Sequence, residues 1–236
     1  MRIVKITAIL LFSWQATLAQ LSMTNGVPEN FSTSANFFLD YLRNEKSADL
    51  VQANVYAGVE ESPFLSDKWA YARIKLNDNR VFDSVLVKIN LFENKVHFRD
   101  NNDKERMIAV QVKELEIRDQ SSSYNNTVFV SGYGKDPNVF YQVLSDGKKI
   151  GYIKEMKKVI KEYRVFNAPV QKKFELLPEK LCLYSKGILY EESKNCSTLI
   201  DAFHNDSKIV NYMSINGLKC NKEKDLQKIV DYYNSY

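Results

Sequence analysis

Apolar side chains recur at every second position over a long central stretch of this 236-residue chain, from residue 68 to residue 118. In the first segment the alternating apolar residues are Ala70, Ala72, Ile74 and Leu76. A period of two residues puts alternate side chains on opposite faces of a β-strand, so each segment predicts a strand with one buried face. The polar stretches between segments are short. Short turns join antiparallel neighbours, because a parallel pair needs a crossover of a dozen or more residues.

The strand pattern continues to about residue 190 and predicts about ten strands in all. The sequence Ser145-Asp146-Gly147-Lys148 predicts a tight hairpin turn. The apolar parity slips by one residue near Lys113 and Glu114, which predicts a bulge or a strand break there. We therefore predict a mainly β fold with a small helical C-terminal segment, a β-rich α+β class. An antiparallel meander would form a sandwich or a curved half-barrel.

The period becomes helical in the last forty residues. Leu226, Ile229, Val230 and Tyr233 are spaced i, i+3, i+4 and i+7, which puts them on one stripe of a helix. Ser197 and Ser207 can cap two shorter helices before it. Near the N-terminus, Ser34 and the aromatic residues after it predict another short helix. The predicted divisions are 20–60 with that helix, a β-rich body over 61–192 and a helical segment over 193–236.

The first nineteen residues have the pattern of a secretory signal peptide. Arg2 and Lys5 form a charged region, residues 6–12 are nearly all apolar, and residues 16–19 end in the small-x-small spacing that signal peptidase accepts. The apolar run is too short for a membrane span, which takes about 20 residues. We predict cleavage after Ala19 and a protein that is exported to the periplasm or the extracellular space and is soluble after cleavage.

The three cysteines, Cys182, Cys196 and Cys220, lie in the last quarter of the chain. An exported protein can use one disulfide here, and a candidate bridge between Cys182 and Cys196 would stabilise it by about 3 kcal/mol in the chain-entropy model. The alternative is three small buried apolar side chains. No histidine at a motif spacing accompanies any of the three, so the sequence does not predict a catalytic thiol.

Charge and motifs argue against several function classes. The formal net charge is +4. Cleavage of the signal peptide would remove Arg2 and Lys5 and leave a net charge of about +2, which is too balanced to predict a nucleic-acid partner. With only two histidines in the chain, little is available for a structural zinc site. The chain has no phosphate-binding glycine loop and no G-x-S-x-G or H-E-x-x-H motif. We predict no enzymatic activity, cofactor or metal. Alternation places His97 on an outward basic face.

Aromatic residues are the one mild excess, with 14 Tyr and 13 Phe. Trp69, Tyr71, Arg73 and Lys75 share one face of a predicted strand. A face that mixes rings with cations is a candidate recognition surface for a glycan, a peptide or another envelope protein. The alternative is cross-strand packing that protects the sheet.

Several motifs carry a family resemblance: the run 62–65 (Ser-Pro-Phe-Leu) followed by Trp69, the strand end 87–92 (Val-Lys-Ile-Asn-Leu-Phe), and the helix end 231–234 (Asp-Tyr-Tyr-Asn). Over about half its length the chain resembles uncharacterised exported proteins of Bacteroidetes. Those proteins usually have Gly in the first hairpin turn where this chain has Asn79, and Asn also enters left-handed conformations. The resemblance implies export and a β-rich body with a helical tail, and it implies no reaction.

These observations lead to three function hypotheses. The first is an exported envelope protein of non-enzymatic binding or assembly type, with another envelope protein, a glycan or a lipid as its partner. The second is a periplasmic carrier that encloses a small apolar ligand in a curved sheet. The third is a hydrolase, which would need two facing carboxylates in a cleft.

Overall fold

The computed structural model describes residues 56–100, 102–164, 166–167, 169–191 and 197–236. The predicted signal peptide, the predicted helix after Ser34 and Cys196 lie outside these residues. In the described part, strands precede residue 192 and helices follow it. No helix in the described ranges is both long enough and apolar enough to cross a membrane.

The described residues form thirteen strands and three helices, so the prediction of a mainly β fold with C-terminal helices is confirmed. The strands are β1 (Val59–Glu60), β2 (Ala70–Leu76), β3 (Val81–Asn90), β4 (Lys95–Arg99), β5 (Glu105–Met107), β6 (Val112–Ile117), β7 (Val128–Val130), β8 (Tyr141–Ser145), β9 (Gly151–Glu155), β10 (Lys158–Tyr163), β11 (Gln171–Leu176), β12 (Lys180–Ser185) and β13 (Ile188–Glu191). The helices are α1 (Ser197–Ala202), α2 (Ser207–Asn216) and α3 (Glu223–Asn234).

Ten strands form one antiparallel sheet, in the order β13-β12-β9-β8-β7-β6-β2-β3-β4-β5. Its two ends, β13 and β5, remain edges, so the sheet does not close. Most neighbours in the sheet are also neighbours in the chain, as in a meander. There are two exceptions: β12 pairs with β9, and β6 pairs with β2 instead of β5. The predicted bulge is present in this pair: Lys75 lies opposite Glu114 and Leu76 opposite Val112, which leaves Lys113 as the extra residue.

The sheet is curved where β5 leads into β6. Ile108 still lies on the β5 side of β4, since its N–H donates to the carbonyl of Val96, whereas Val112 already pairs with Leu76. In a flat sheet these positions would be four strand spacings apart, about 19 Å. Four residues of extended chain reach about 14 Å at most. Strands β6, β2, β3, β4 and β5 therefore curl around one face, in the manner expected of a curved half-barrel.

The concave side of this curl, which we call the inner face, holds the core. Phe82, Phe98 and Phe129 are buried there. Further along the same face, Tyr152 and Leu183 pack under the three helices. The predicted stripe of α3 contributes to this second cluster: its three aliphatic residues are fully buried and Tyr233 is partly buried against them.

Strands β10 and β11 form a separate antiparallel hairpin, and β1 pairs with β11 in parallel. Phe174 of β11 fixes this hairpin to the rest of the molecule. Its ring lies 5.1 Å from that of Tyr56 and 5.3 Å from that of Phe92, between centroids, in edge-on contacts. Edge-on contact is one of the two favoured geometries for packed aromatic rings, besides offset stacking.

Candidate ligand groove

A groove of about 270 Å³ lies on the outer face of the sheet, opposite the helices. Its floor is formed by outward-facing residues of four neighbouring strands, three of which carry the helices on their other face: Val130 of β7, Val143 of β8, Ile153 of β9 and Tyr184 of β12. Tyr152 and Leu183 point to the helices, so their chain neighbours Ile153 and Tyr184 point to the other side of the sheet. The helices therefore cover one face of these strands and leave the groove on the other.

The first wall of the groove is the loop after β7, which carries Tyr133. The Tyr133 ring lies 4.1 Å from the Tyr184 ring, centroid to centroid. The loop is tight because the N–H of Gly132 donates to the carbonyl of Pro137 over 2.9 Å. Gly134 adopts φ +70°, and a Cβ there would lie 3.1 Å from Tyr141 Oη, so the backbone approaches the sheet closely. This approach holds Tyr133 over the floor.

The second wall is the turn between β8 and β9, and α3 ties it from behind. The side-chain carbonyl of Asn234 accepts from the N–H groups of Lys149 and Ile150, at 3.0 and 3.2 Å. Its amide donates to the carbonyl of Ile150 at 2.9 Å. A Cβ on Gly147 would overlap this same side chain, so the turn and the helix end fit together only around glycine. The helix on the inner face thus positions a wall of the outer groove.

The groove combines the neutral phenol of Tyr133 with a rim of both charge signs. Burial, followed by the nearby Tyr184, Asp146 and Glu114, raises the pKa of Tyr133 above its usual 10.0. Its hydroxyl therefore stays protonated at neutral pH and can donate and accept hydrogen bonds. The rim carries Lys148 and Lys186 together with Asp146 and Glu114. Such a lining suits an uncharged polar ligand that also has apolar faces.

The strands beneath the groove cannot add a peptide strand to their backbone. Strands β7, β8, β9 and β12 each have a hydrogen-bonded neighbour on both sides. Recognition in the groove must therefore come from side chains and from the turns that border it.

The predicted recognition residues lie on the same outer face, next to the groove. A continuous row of paired residues runs from Lys75 through Glu114 and Val130 to Tyr141. Tyr71 is 51% exposed. The structure thus brings the candidate surface and the groove onto one face, with β6 between them.

Trp69 and Tyr71 differ in how open their rings are. Trp69 is partly buried, with Lys88 Nζ 4.7 Å and Arg99 Cζ 4.9 Å from its ring. These cation–π contacts are internal packing, as the cross-strand alternative expects. Tyr71 and Arg73 remain exposed, and a recognition role for them stays a prediction.

The candidate bridge between Cys182 and Cys196 is wrong, because Cys182 is a buried thiol. Cys182 packs on the outer-face cluster with Tyr141 and Ile153. Cys220 is disulfide-bonded and packs with the helices on the inner face. Strand alternation thus turns Cys182 away from the helical segment, in which the disulfide-bonded Cys220 lies.

The prediction that His97 faces solvent is also wrong, because this side chain is only 2% exposed. Its Nδ1 hydrogen-bonds to Glu105 Oε1 at 2.7 Å, and Nε2 has no hydrogen-bond partner. The ring of Phe64 lies 4.9 Å away, edge-on, because the segment before β2 covers this part of the outer face. Alternation gave the correct face of the strand, but it could not reveal a segment that lies over it.

Across the described ranges, no group of three or more His, Cys, Asp or Glu residues is placed to hold a metal ion. Inside the curled half, a cavity of about 10 Å³ lies beside Val96 and Ile108. That is about the space of one water molecule.

The chain matches no known family model, and no curated protein or solved structure is significantly similar to it.

Proposed function

We propose that this protein is an exported, non-enzymatic binding protein of the cell envelope that holds a carbohydrate of one or two rings in the outer-face groove. The observation that carries this proposal is the open groove, in which the Tyr133 ring packs against the Tyr184 ring beside the aliphatic residues of the floor. Export itself rests on residues 1–19 and on the resemblance to exported proteins of Bacteroidetes.

The chemistry of the lining favours a carbohydrate over other small ligands. A sugar ring presents C–H groups on its faces, which pack on aromatic and aliphatic side chains, and hydroxyl groups on its edge, which need donors and acceptors of both kinds. Tyr133 and Tyr184 supply the rings. Lys148 and Asp146 at the rim supply a donor and an acceptor. A volume of about 270 Å³ is near the lower end of the range for small-ligand pockets, which suits one or two sugar rings.

The carrier hypothesis has less support from the packing. A carrier needs an enclosed apolar cavity, and the inner face of the curl is filled by Phe82, Phe98 and Phe129. The cavity of about 10 Å³ in that half is far smaller than an apolar ligand. The outer groove is open and partly polar, so it favours a polar ligand.

A printed array of bacterial and plant glycans, followed by calorimetry with the strongest hit, tests the proposal. Tyr184→Ala should weaken binding about tenfold or more, which corresponds to about 1.4 kcal/mol. The matched control is Tyr163→Ala, which removes an exposed tyrosine of the β10–β11 hairpin, outside the groove lining, and should leave the affinity unchanged. The proposal fails if the wild type binds no glycan, or if both variants lose the same affinity. Urea unfolding of each variant shows whether a loss of binding reflects a loss of fold.

A further inference from the structure

The hairpin of β10 and β11 ends in exposed apolar side chains. Phe166 is 92% exposed, Val170 47% and Tyr163 40%. We call these three residues the hairpin tip. Single exposed apolar residues are common, but three around one turn form a patch that water solvates poorly.

The tip projects from a firmly packed base. Phe174 anchors β11 between Tyr56 and Phe92. At the same end of the hairpin, Lys158 Nζ donates to the carbonyls of Ser62 and Phe64, each at 2.7 Å. From Phe174 back to Gln171, where β11 begins beside the tip, is three residues, about 10 Å of strand. The last three residues of β10 are exposed, so the distal half of the hairpin stands away from its anchor.

Cations surround the tip. Between residues 161 and 173 the chain carries Lys161, Arg164, Lys172 and Lys173 against one carboxylate, Glu162, a net charge of +3. Lys172 pairs with Glu162, Lys161 with Glu175, and Lys173 with Glu61, so the cluster including Glu175 and Glu61 carries a net charge of +1, with Arg164 as the remaining cation of the count. These are exposed pairs, which contribute little and exchange readily for other anions.

The geometry points to a second binding surface, in which the hairpin tip contacts a lipid bilayer that contains anionic lipids. An aromatic tip with a collar of cations has the two features of interfacial anchors: apolar side chains that enter the headgroup region, and positive charge that attracts anionic lipids. A bilayer requires no shape complementarity. A protein partner would need about 20 to 30 residues on each side, more than a two-stranded tip offers. The surface is separate from the groove and does not depend on it.

Sedimentation of the full mature chain with vesicles tests this inference. The probe is vesicles with about 30% phosphatidylglycerol in phosphatidylethanolamine, compared with pure phosphatidylcholine. The wild type should bind the anionic vesicles at about 20 mM salt and bind about tenfold less at about 300 mM, because salt screens the cations. Phe166→Ser should weaken binding about tenfold or more, since an inserted phenylalanine side chain contributes at least that factor.

The matched control is Ile215→Ser on α2, which removes another apolar side chain, 74% exposed and distant in sequence from the tip. It should leave vesicle binding unchanged. Both side chains are exposed, so neither variant should shift the urea midpoint. The inference is overturned if the wild type ignores anionic vesicles at low salt, if it binds phosphatidylcholine equally well, or if the two variants lose equal affinity.

Discussion

Gly147→Ala should destabilise the protein through a single contact, the one between the β8–β9 turn and the end of α3. Gly147 does not adopt a positive φ, so alanine is acceptable to the backbone at that position. The added Cβ would instead overlap the side chain of Asn234 and force it out of place. The three hydrogen bonds of that side chain to Lys149 and Ile150 would then be lost.

The size of the effect follows from those three hydrogen bonds. Each contributes about 0.5–1.5 kcal/mol, and water can replace part of them at an exposed turn, so their loss should cost about 2 kcal/mol. Alanine also restricts the unfolded chain, which returns about 0.5 kcal/mol. Gly147→Ala should therefore cost about 1.5 kcal/mol in the wild type. In an Asn234→Ala background the overlap is gone, and the same change should stabilise by about 0.5 kcal/mol.

A double-mutant cycle in urea measures this reversal of sign. Trp69 is the only tryptophan of the chain after residue 19, so its fluorescence reports unfolding of the body. The coupling between Gly147 and Asn234 should be about 2 kcal/mol. Equal costs for Gly147→Ala in both backgrounds would refute the reasoning, because the effect would then come from the backbone of the turn and not from Asn234.

Two further predictions concern the disulfide and the turn after β4. Non-reducing peptide mapping should find Cys220 joined to Cys196, and reduction should cost about 3 kcal/mol of unfolding free energy for a loop of this length; a bridged peptide containing Cys182 would contradict this. For Asp100, burial raises the pKa, but hydrogen bonds from Arg106 and two backbone N–H groups outweigh it and lower the pKa below 3.8. The ionised carboxylate therefore stabilises the fold at pH values above 3.8, the ordinary pKa of an aspartate in the unfolded chain. This contribution is lost as the pH falls through the lower pKa that Asp100 has in the folded protein. Asp100→Asn should therefore lower the free energy of unfolding by about 2 kcal/mol at neutral pH, and by less at pH values below about 4, as measured by urea titrations. The same loss at both pH values would contradict the lowered pKa of Asp100.

The faces of the elements could be predicted from the sequence, because periodicity reports which face of a strand or helix each side chain takes. The bulge at Lys113 and the buried stripe of α3 both follow from where the apolar residues fall. Strand order could not be predicted in the same way. Pairing of β6 with β2 depends on how the sheet curls, and alternation along one strand contains no information about its distant neighbours.

The groove was missed because its parts are distant in the sequence. Tyr133 and Tyr184 are 51 positions apart, and only the fold brings their rings together. One local signal was available: glycines on both sides of Tyr133 indicate a tight loop that presents a ring. Gly147 shows the reverse case. Its place in an Asp-Gly turn suggests a need for positive φ, but the structure requires glycine there for the close approach of Asn234.

The β8–β9 turn borders the groove on the outer face and is hydrogen-bonded to the end of α3, which packs on the inner face. Variants of the groove must therefore be interpreted together with variants of α3. The side of the turn that faces the groove carries Asp146 and Lys148, and Asn234 holds the other side. A change in α3 can therefore weaken the groove without touching a ligand. Tyr184→Ala removes part of the floor and leaves Asn234 in place, whereas Gly147→Ala releases the wall and leaves both rings. If ligand binding depends on the two tyrosine rings alone, only Tyr184→Ala should weaken binding. If binding also requires the positioned wall, Gly147→Ala and Asn234→Ala should each weaken binding as well.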